Sequence, residues 1–170
     1  SFVDTWFNNI STQAYKPVRA INIHEKEITF ANVLSMDKNE SEDNIKPIST
    51  TLIVNIYGGP GAGKSTTALQ LVAELKKLGY HADYVSEVAK ELVYAKDFEH
   101  LDGTLKNQSK ILSEQKRRLD IMLDNVDVVV TDSPLLLNTV YLKENAPEYI
   151  ESVFSQYENY NNYNVVVERD

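Results

Sequence analysis

The stretch Gly58-Gly59-Pro60-Gly61-Ala62-Gly63-Lys64-Ser65 constrains this chain more than any other, because it fits G-x-x-x-x-G-K-[ST] in the context that gives the pattern a mechanism. Directly before it runs Leu52-Ile53-Val54-Asn55-Ile56-Tyr57, apolar and β-branched as a buried strand should be. Directly after it, a helical pattern extends from Ser65 to about Leu78, with Leu69, Leu71, Val72, Leu75 and Leu78 on one face and Gly79 as the stop. A strand, a glycine-rich turn and a helix in that order let successive backbone N–H groups turn inward around phosphate oxygens, and the helix N-terminus adds a favourable field. Lys64 has the reach to meet β- and γ-phosphates, Ser65 offers a hydroxyl ligand to Mg²⁺, and Thr66 falls where it could touch an α-phosphate. The bland alternative is a glycine-rich turn that binds nothing. The flanking strand and helix favour nucleotide binding over it.

The remainder of the chain supplies a fold for this loop. Residues 1–50 read as an N-terminal extension containing Trp6, a hairpin over residues 18–23 and 27–30, and an acidic linker over residues 37–44. Residues 51–170 read as the core. There a strand is expected over residues 82–85, then a helical stretch with Glu87, Lys90 and Glu91, then a long helix over residues 105–125. That helix should turn Ile111, Leu112, Leu119, Ile121, Met122 and Leu123 largely inward. Val126-Asp127-Val128-Val129-Val130-Thr131 predicts another strand, too continuously apolar after Asp127 for a sheet with one wet face. A helix over residues 147–157, a turn in the Tyr- and Asn-rich residues 157–163 and a strand over residues 164–167 complete the order. Strands alternating with helices imply an α/β fold with right-handed crossovers and a mainly parallel, helix-covered sheet.

Composition removes several function classes. With no cysteine there is no disulfide framework, no thiol nucleophile and no thiolate zinc site. A formal charge of −8 disfavours a broad grip on nucleic acid, though a local cationic pocket remains compatible with it. No apolar run approaches the ~20 residues that span a bilayer, and Ser1-Phe2-Val3-Asp4 lacks the basic and apolar regions of a signal peptide. The expectation is a cytoplasmic protein with no membrane partner.

Two acids fall at the carboxyl ends of strands, where ligands of such sheets bind. Asp132, in Thr131-Asp132-Ser133-Pro134, can support Mg²⁺ or accept a proton from a substrate hydroxyl; the competing role is a helix N-cap. Glu87, in Tyr84-Val85-Ser86-Glu87, has the same two possibilities, with Ser86 as cap and Glu87 improving the helix dipole. If both converge on Mg·ATP, one supports the metal and the other positions an acceptor hydroxyl, in an order the residues leave open. Lys64, Asp132 and Glu87 are therefore the candidate catalytic residues, and Ser65 with Asp132 the candidate metal ligands.

Four segments carry a resemblance: Ile56-Tyr57-Gly58-Gly59-Pro60-Gly61-Ala62-Gly63-Lys64-Ser65-Thr66-Thr67; Ser86-Glu87-Val88-Ala89-Lys90-Glu91; Asn107-Gln108 with Glu114-Gln115 and Arg118; and Val128-Val129-Val130-Thr131-Asp132-Ser133-Pro134-Leu135-Leu136. Through them residues 53–170 resemble the ATP-binding P-loop kinases grouped with the nicotinamide riboside kinase domain of the bifunctional NAD-biosynthesis regulator, and most closely their phage-encoded members. The resemblance implies a P-loop NTPase fold of the nucleoside and nucleotide kinase type, with a five-stranded parallel sheet. The strand ending at Asp132 should lie between the strand before the loop and the one ending at Val85. It also implies that Arg118 joins Gly58, Gly59, Pro60, Gly61, Ala62, Gly63, Lys64, Ser65 and Thr66 in binding nucleotide. Relatives continue from the last strand into an arginine-bearing lid, and a core ending at Asp170 is expected to lack it.

The function so implied is Mg·ATP-dependent phosphoryl transfer to the hydroxyl of a small nucleoside-like acceptor, nicotinamide riboside among them. Two alternatives stand beside it: a kinase of hydroxymethylated DNA bases, and a non-catalytic nucleotide-dependent switch that docks a protein partner through residues 1–50.

Overall fold

The computed structural model describes residues 18–21, 47–59 and 61–167. Strand β1 (Val18–Ile21) precedes the core. The core then runs β2 (Leu52–Tyr57), α1 (Lys64–Lys77), β3 (Ala82–Val85), α2 (Val88–Tyr94), a 3₁₀ turn (Glu99–Leu101), α3 (Leu105–Asp120), β4 (Val128–Thr131), α4 (Leu137–Tyr141), α5 (Pro147–Glu158) and β5 (Asn161–Val167).

The five strands form one sheet in the order β1-β5-β2-β4-β3. Strands β5, β2, β4 and β3 are parallel, and β4 lies between β2 and β3 as the resemblance implied. The fifth strand departs from an all-parallel sheet: β1 runs antiparallel along β5, from Val18 opposite Val167 to Ile21 opposite Asn164. The expected second strand of its hairpin, residues 27–30, and the acidic linker lie outside the described residues.

Alternation along the strands sends successive side chains to opposite faces, and both faces are covered. Val54, Ile56, Val128, Val130, Val165 and Val167 pack with Ala68, Leu71, Val72 and Leu75 of α1. Ile53, Tyr57, Val129 and Val166 pack on the other face with Leu112 and Leu119 of α3 and Val153, Phe154 and Tyr157 of α5. Covering both faces explains why β4 is buried at every position and apolar at Val128, Val129 and Val130. Each fully buried Val, Leu or Ile contributes about 1.5–3 kcal/mol of burial, so the sheet between α1 and the α3–α5 layer is the main source of stability.

Helical periodicity placed most of the buried residues and misassigned three. Leu69 and Leu78 of the α1 pattern are exposed, because the buried stripe follows Ala68, Leu71, Val72 and Leu75 at i, i+3, i+4 and i+7, and Leu78 is the C-cap. Ile121 is exposed because α3 ends at Asp120, five residues before the expected end. Beyond it Met122 N–H and Leu123 N–H donate three residues back, to Leu119 O and Asp120 O, and the tightened turn rotates Ile121 outward. The expected turn over residues 157–163 is confined to two residues between α5 and β5. Asn162 and Asn164 enter the sheet because the Asn55 amide donates to both side-chain oxygens at 3.0 Å, satisfying polar groups inside β5.

Candidate functional site

Strand β2 delivers the chain into the glycine-rich turn at the carboxyl edge of the sheet. A Cβ on Gly58 would stand 2.7 Å from the Val167 carbonyl oxygen of β5, so only glycine lets the turn pass this close to the neighbouring strand. Gly61 and Gly63 have φ of 73° and 88°, in the left-handed region that glycine occupies at no steric cost. The Ala62 N–H closes the turn on Gly59 O at 3.1 Å. Gly63 is the N-cap of α1; no side chain caps the helix and no acid occupies its first turn. The N–H groups of a helix's first turn point toward the position that an anion would take, and Lys64 is the first helical residue here. Ser65 and Lys64 are half-buried and Thr66 is exposed. Pro60 lies outside the described residues.

Strand β4 carries Asp132 to the same edge. The Ser65 hydroxyl donates to Asp132 Oδ2 at 2.5 Å, and the Tyr84 hydroxyl of β3 donates to the same oxygen at 2.7 Å. Asp132 is 3% exposed, and its Oδ1 is buried without a hydrogen-bond partner among the described residues. The capping alternative fails for this residue, since the N-cap of α4 is Leu136. A carboxylate with one uncommitted oxygen beside a serine hydroxyl is a donor set suited to Mg²⁺, a hard cation that takes oxygen ligands and keeps several waters. The left-handed glycines and uncapped helix end suit a nucleotide's phosphates equally well. Ser65 and Asp132 thus fit the metal, and the 58–65 turn fits the triphosphate.

Glu87 stands at the N-cap position of α2 but its side chain caps nothing, so its carboxylate is available for other work. Burial pushes its pKa up, the Asp132 charge pushes it further up, and Lys64 and Lys90 draw it down. These influences place Glu87 within electrostatic reach of both the Asp132 side and the Lys64 side of the site. Glu87 also lines a cavity of about 250 Å³, between the start of α2, the face of α3 and the 133–143 segment.

Arg118 is placed differently from the phosphate-binding turn. Its guanidinium donates to Glu91 at 2.6 Å and Glu114 at 3.1 Å, and to the Ser86 carbonyl at 3.3 Å, clamping α3 onto the start of α2. Its positive charge is thereby paired with two acids.

Sequence reasoning missed Tyr84, whose alternation in a short strand carries no mark of a contact 48 residues away. Burial, then the Asp132 hydrogen bond, push its phenol pKa up, keeping it a donor. Also missed was a chain of buried amides on the cavity wall. Gln108 Nε2 donates to Asn138 Oδ1 at 2.6 Å, Asn138 Nδ2 to Gln115 Oε1 at 2.7 Å, and Gln115 Nε2 to Ser133 Oγ at 2.6 Å. The spacing of Gln108, Ile111, Leu112, Gln115 and Leu119 on one face of α3 is the available signal, polar residues sitting in an otherwise apolar stripe.

No group of three or more His, Cys, Asp or Glu side chains that could hold a metal ion occurs among the described residues. Nor is any helix among them long and apolar enough to cross a membrane.

Comparison with known proteins bears on the same core. A family model described as an AAA domain matches residues 53–168. The chain is 31% identical to the protein RecA of Laribacter hongkongensis, over 67% of this chain and 38% of that protein. It is 30% identical to the protein RecA of an Azoarcus species, over 67% of this chain and 39% of that protein. The chain therefore spans about two fifths of the length of these curated relatives. Among solved structures it is similar to a variant of the Mycobacterium tuberculosis APS kinase, with 15% identity, a TM-score of 0.46, and coverage of 72% of this chain and 78% of that one.

Proposed function

Because the chain belongs to the AAA domain family, a family of P-loop NTPases, we propose that this nucleotide-binding core transfers the γ-phosphoryl group of ATP to the hydroxyl of a small nucleoside-like acceptor, nicotinamide riboside being one candidate. The observation that carries the reading is the position of Glu87. It belongs to a cavity large enough for a small molecule, and it lies close enough to Asp132 and Lys64 for both charges to move its pKa.

In this mechanism the 58–65 turn and Lys64 hold the phosphates, and binding there fixes the γ-phosphorus at the carboxyl edge of β2 and β4. The acceptor occupies the cavity with its hydroxyl toward Glu87. The Glu87 carboxylate takes the hydroxyl proton while the acceptor oxygen forms a bond to phosphorus and the bond from phosphorus to the β-bridging oxygen breaks, leaving ADP. Ser65 and Asp132 would hold Mg²⁺, which would supply neutralisation of phosphate charge when bound. Tyr84 keeps Asp132 oriented through its 2.7 Å hydrogen bond. The gain comes from positioning and electrostatics rather than from a covalent intermediate. A hydroxymethylated base in DNA is the weaker acceptor, given the charge of −8.

The test is direct. Protein, Mg·ATP and a panel of nucleosides that includes nicotinamide riboside are combined and the products resolved by mass spectrometry. A gain of one phosphoryl group on an acceptor, with ADP formed in equal amount, is the expected result. ATP consumed with inorganic phosphate as sole product, whatever nucleoside is supplied, would overturn it.

A further inference from the structure

The amide chain on the cavity wall leaves a defined set of hydrogen-bonding groups unspent. Asn138 is saturated: Nδ2 donates to Gln115 Oε1 and to Leu135 O, and Oδ1 accepts from Gln108. By contrast the hydroxyl proton of Ser133, the second N–H of Gln115 and the Oε1 of Gln108 have no partner among the described residues. All three residues line the cavity and are at least nine-tenths buried. Locked into one chain of hydrogen bonds, they present fixed neutral donors and a fixed neutral acceptor to whatever fills the space. Leu101, Ile111 and Leu137 supply an apolar flank.

Charge on the wall is limited. Glu87 is the acid. The sole cationic lining residue among those described is Lys143, and its stem is committed to the rim: its Cγ would lie 2.8 Å from a Cβ on Gly103, and its N–H donates to Gly103 O at 2.9 Å. Its ammonium helps to draw down the pKa of the exposed Asp102, after the Thr104 and Asn107 hydrogen bonds that do most of it. An anionic group carried into the cavity would lose its water and face the Gln108 carbonyl oxygen and the Glu87 carboxylate without a dedicated cation.

We propose that the Gln108–Asn138–Gln115–Ser133 wall recognises the non-reacting end of an acceptor through an uncharged amide-type group, donor and acceptor side by side, and rejects acceptors that carry a carboxylate there. This deepens the kinase reading and rests on it for the word acceptor; the recognition itself is a binding property.

Two pairs of ligands isolate it, nicotinamide riboside against nicotinic acid riboside and uridine against orotidine. The first pair differs in an amide replaced by a carboxylate, the second in a carboxylate added to the base. Each is titrated calorimetrically into the full chain in the presence of Mg²⁺ and a non-hydrolysable ATP analogue. The uncharged member of at least one pair should bind roughly tenfold or more tightly than its acid, since the acid leaves a buried charge unpaired. Gln108→Met, and the smaller change Ser133→Ala, should each reduce that ratio to within about threefold while the ATP analogue binds as before. Lys143→Met should leave the ratio unchanged. Equal or tighter binding of both acids, a ratio abolished by Lys143→Met, or no binding of any of the four would overturn the proposal. Selective binding without phosphoryl transfer sinks the kinase reading and supports this one; transfer to the acids as readily as to their partners does the reverse.

Discussion

Ser65 and Asp132, 67 residues apart in sequence, meet through a 2.5 Å hydrogen bond that joins the first turn of α1 to the carboxyl end of β4. The meeting follows from sheet order: β4 is the immediate parallel neighbour of β2, with Thr131 opposite Asn55, so the chain leaving β4 emerges at the same edge of the sheet as the turn after β2. One carboxylate oxygen is taken by Ser65 and Tyr84, and the other is left without a partner among the described residues. Asp132→Asn should therefore leave nucleotide binding within about threefold of wild type while lowering transfer by roughly a hundredfold or more, as loss of one charge-stabilising group does. Lys64→Ala should instead weaken nucleotide binding itself. Analogue titration and single-turnover assays on the two variants separate these outcomes, and wild-type turnover by Asp132→Asn would remove Asp132 from the mechanism.

Gly58→Ala tests the turn without touching a charge. The new Cβ would stand 2.7 Å from the Val167 carbonyl oxygen and 3.2 Å from the Ala62 Cβ, and the β5 backbone cannot retreat far inside a covered sheet. Overpacking of this kind costs about 1–3 kcal/mol. Gly59→Ala is the control, because nothing among the described residues lies within 4 Å of its Cβ position. Thermal unfolding should show a lower Tm for Gly58→Ala and little change for Gly59→Ala. Equal Tm values would mean that the approach of β5 to the turn is not tight.

How much of this was legible beforehand follows from where the information lies. The 58–65 turn is local in sequence and carries its own chemistry, so its residues, the preceding strand and the following helix could be read directly. Asp132 could be placed at a strand end because a β-branched run stops there, and Glu87 because it follows the short strand expected over residues 82–85. Their partners could not: Tyr84 reaches Asp132, and Gln108 reaches Asn138, only through a sheet order that periodicity does not encode. Arg118 shows the converse. The resemblance put it among the nucleotide-binding residues, and its ion pairs with Glu91 of α2 and Glu114 of its own helix were not read from the sequence. Ile121 was misplaced for a third reason, the tightening of a helix end that a regular 3.6-residue pattern does not anticipate.

Glu87 gives the site a pH signature. Burial first and Asp132 second raise its pKa above the ordinary carboxylate value of 4.5, while Lys64 and Lys90 oppose them. A general base must be ionised, so transfer should fall as pH drops through this raised value, at a higher pH than an unperturbed carboxylate would give. Lys90→Met removes a charge that lowers the pKa and should move the acid limb to still higher pH; Glu87→Gln should remove the limb along with most of the activity. The folding consequence has the opposite sense. A folded-state pKa above the unfolded one means stability that is present below pH 4.5 and lost as pH rises through the raised value. Glu87→Gln should accordingly match wild type in stability near pH 4 and exceed it at pH 7, checked by urea unfolding at both. An acid limb that stays fixed in Lys90→Met would separate Glu87 from the activity profile.

The Arg118 clamp makes a prediction of the other sign. Glu114 accepts hydrogen bonds from Arg117 and Arg118, and these hold its carboxyl down at about 2, well below the usual 4.5. A folded-state pKa below the unfolded one contributes stability that is complete above pH 4.5 and is lost as pH falls toward 2. The Glu114 side chain is 35% exposed, so solvent screening keeps the contribution under about 1 kcal/mol. Glu114→Gln should be less stable than wild type at pH 7 by no more than that, with the difference shrinking as unfolding is repeated toward pH 3. Because Arg118 also donates to Glu91 and the Ser86 carbonyl, the same substitution leaves it tethered to the start of α2, and Glu87 should keep its place. Transfer activity at neutral pH is expected to stay within about twofold of wild type, whereas Arg118→Met, which cuts all three contacts, should lower activity more than Glu114→Gln does. A stability gap in Glu114→Gln that widens on acidification would show that the pair does not hold in solution.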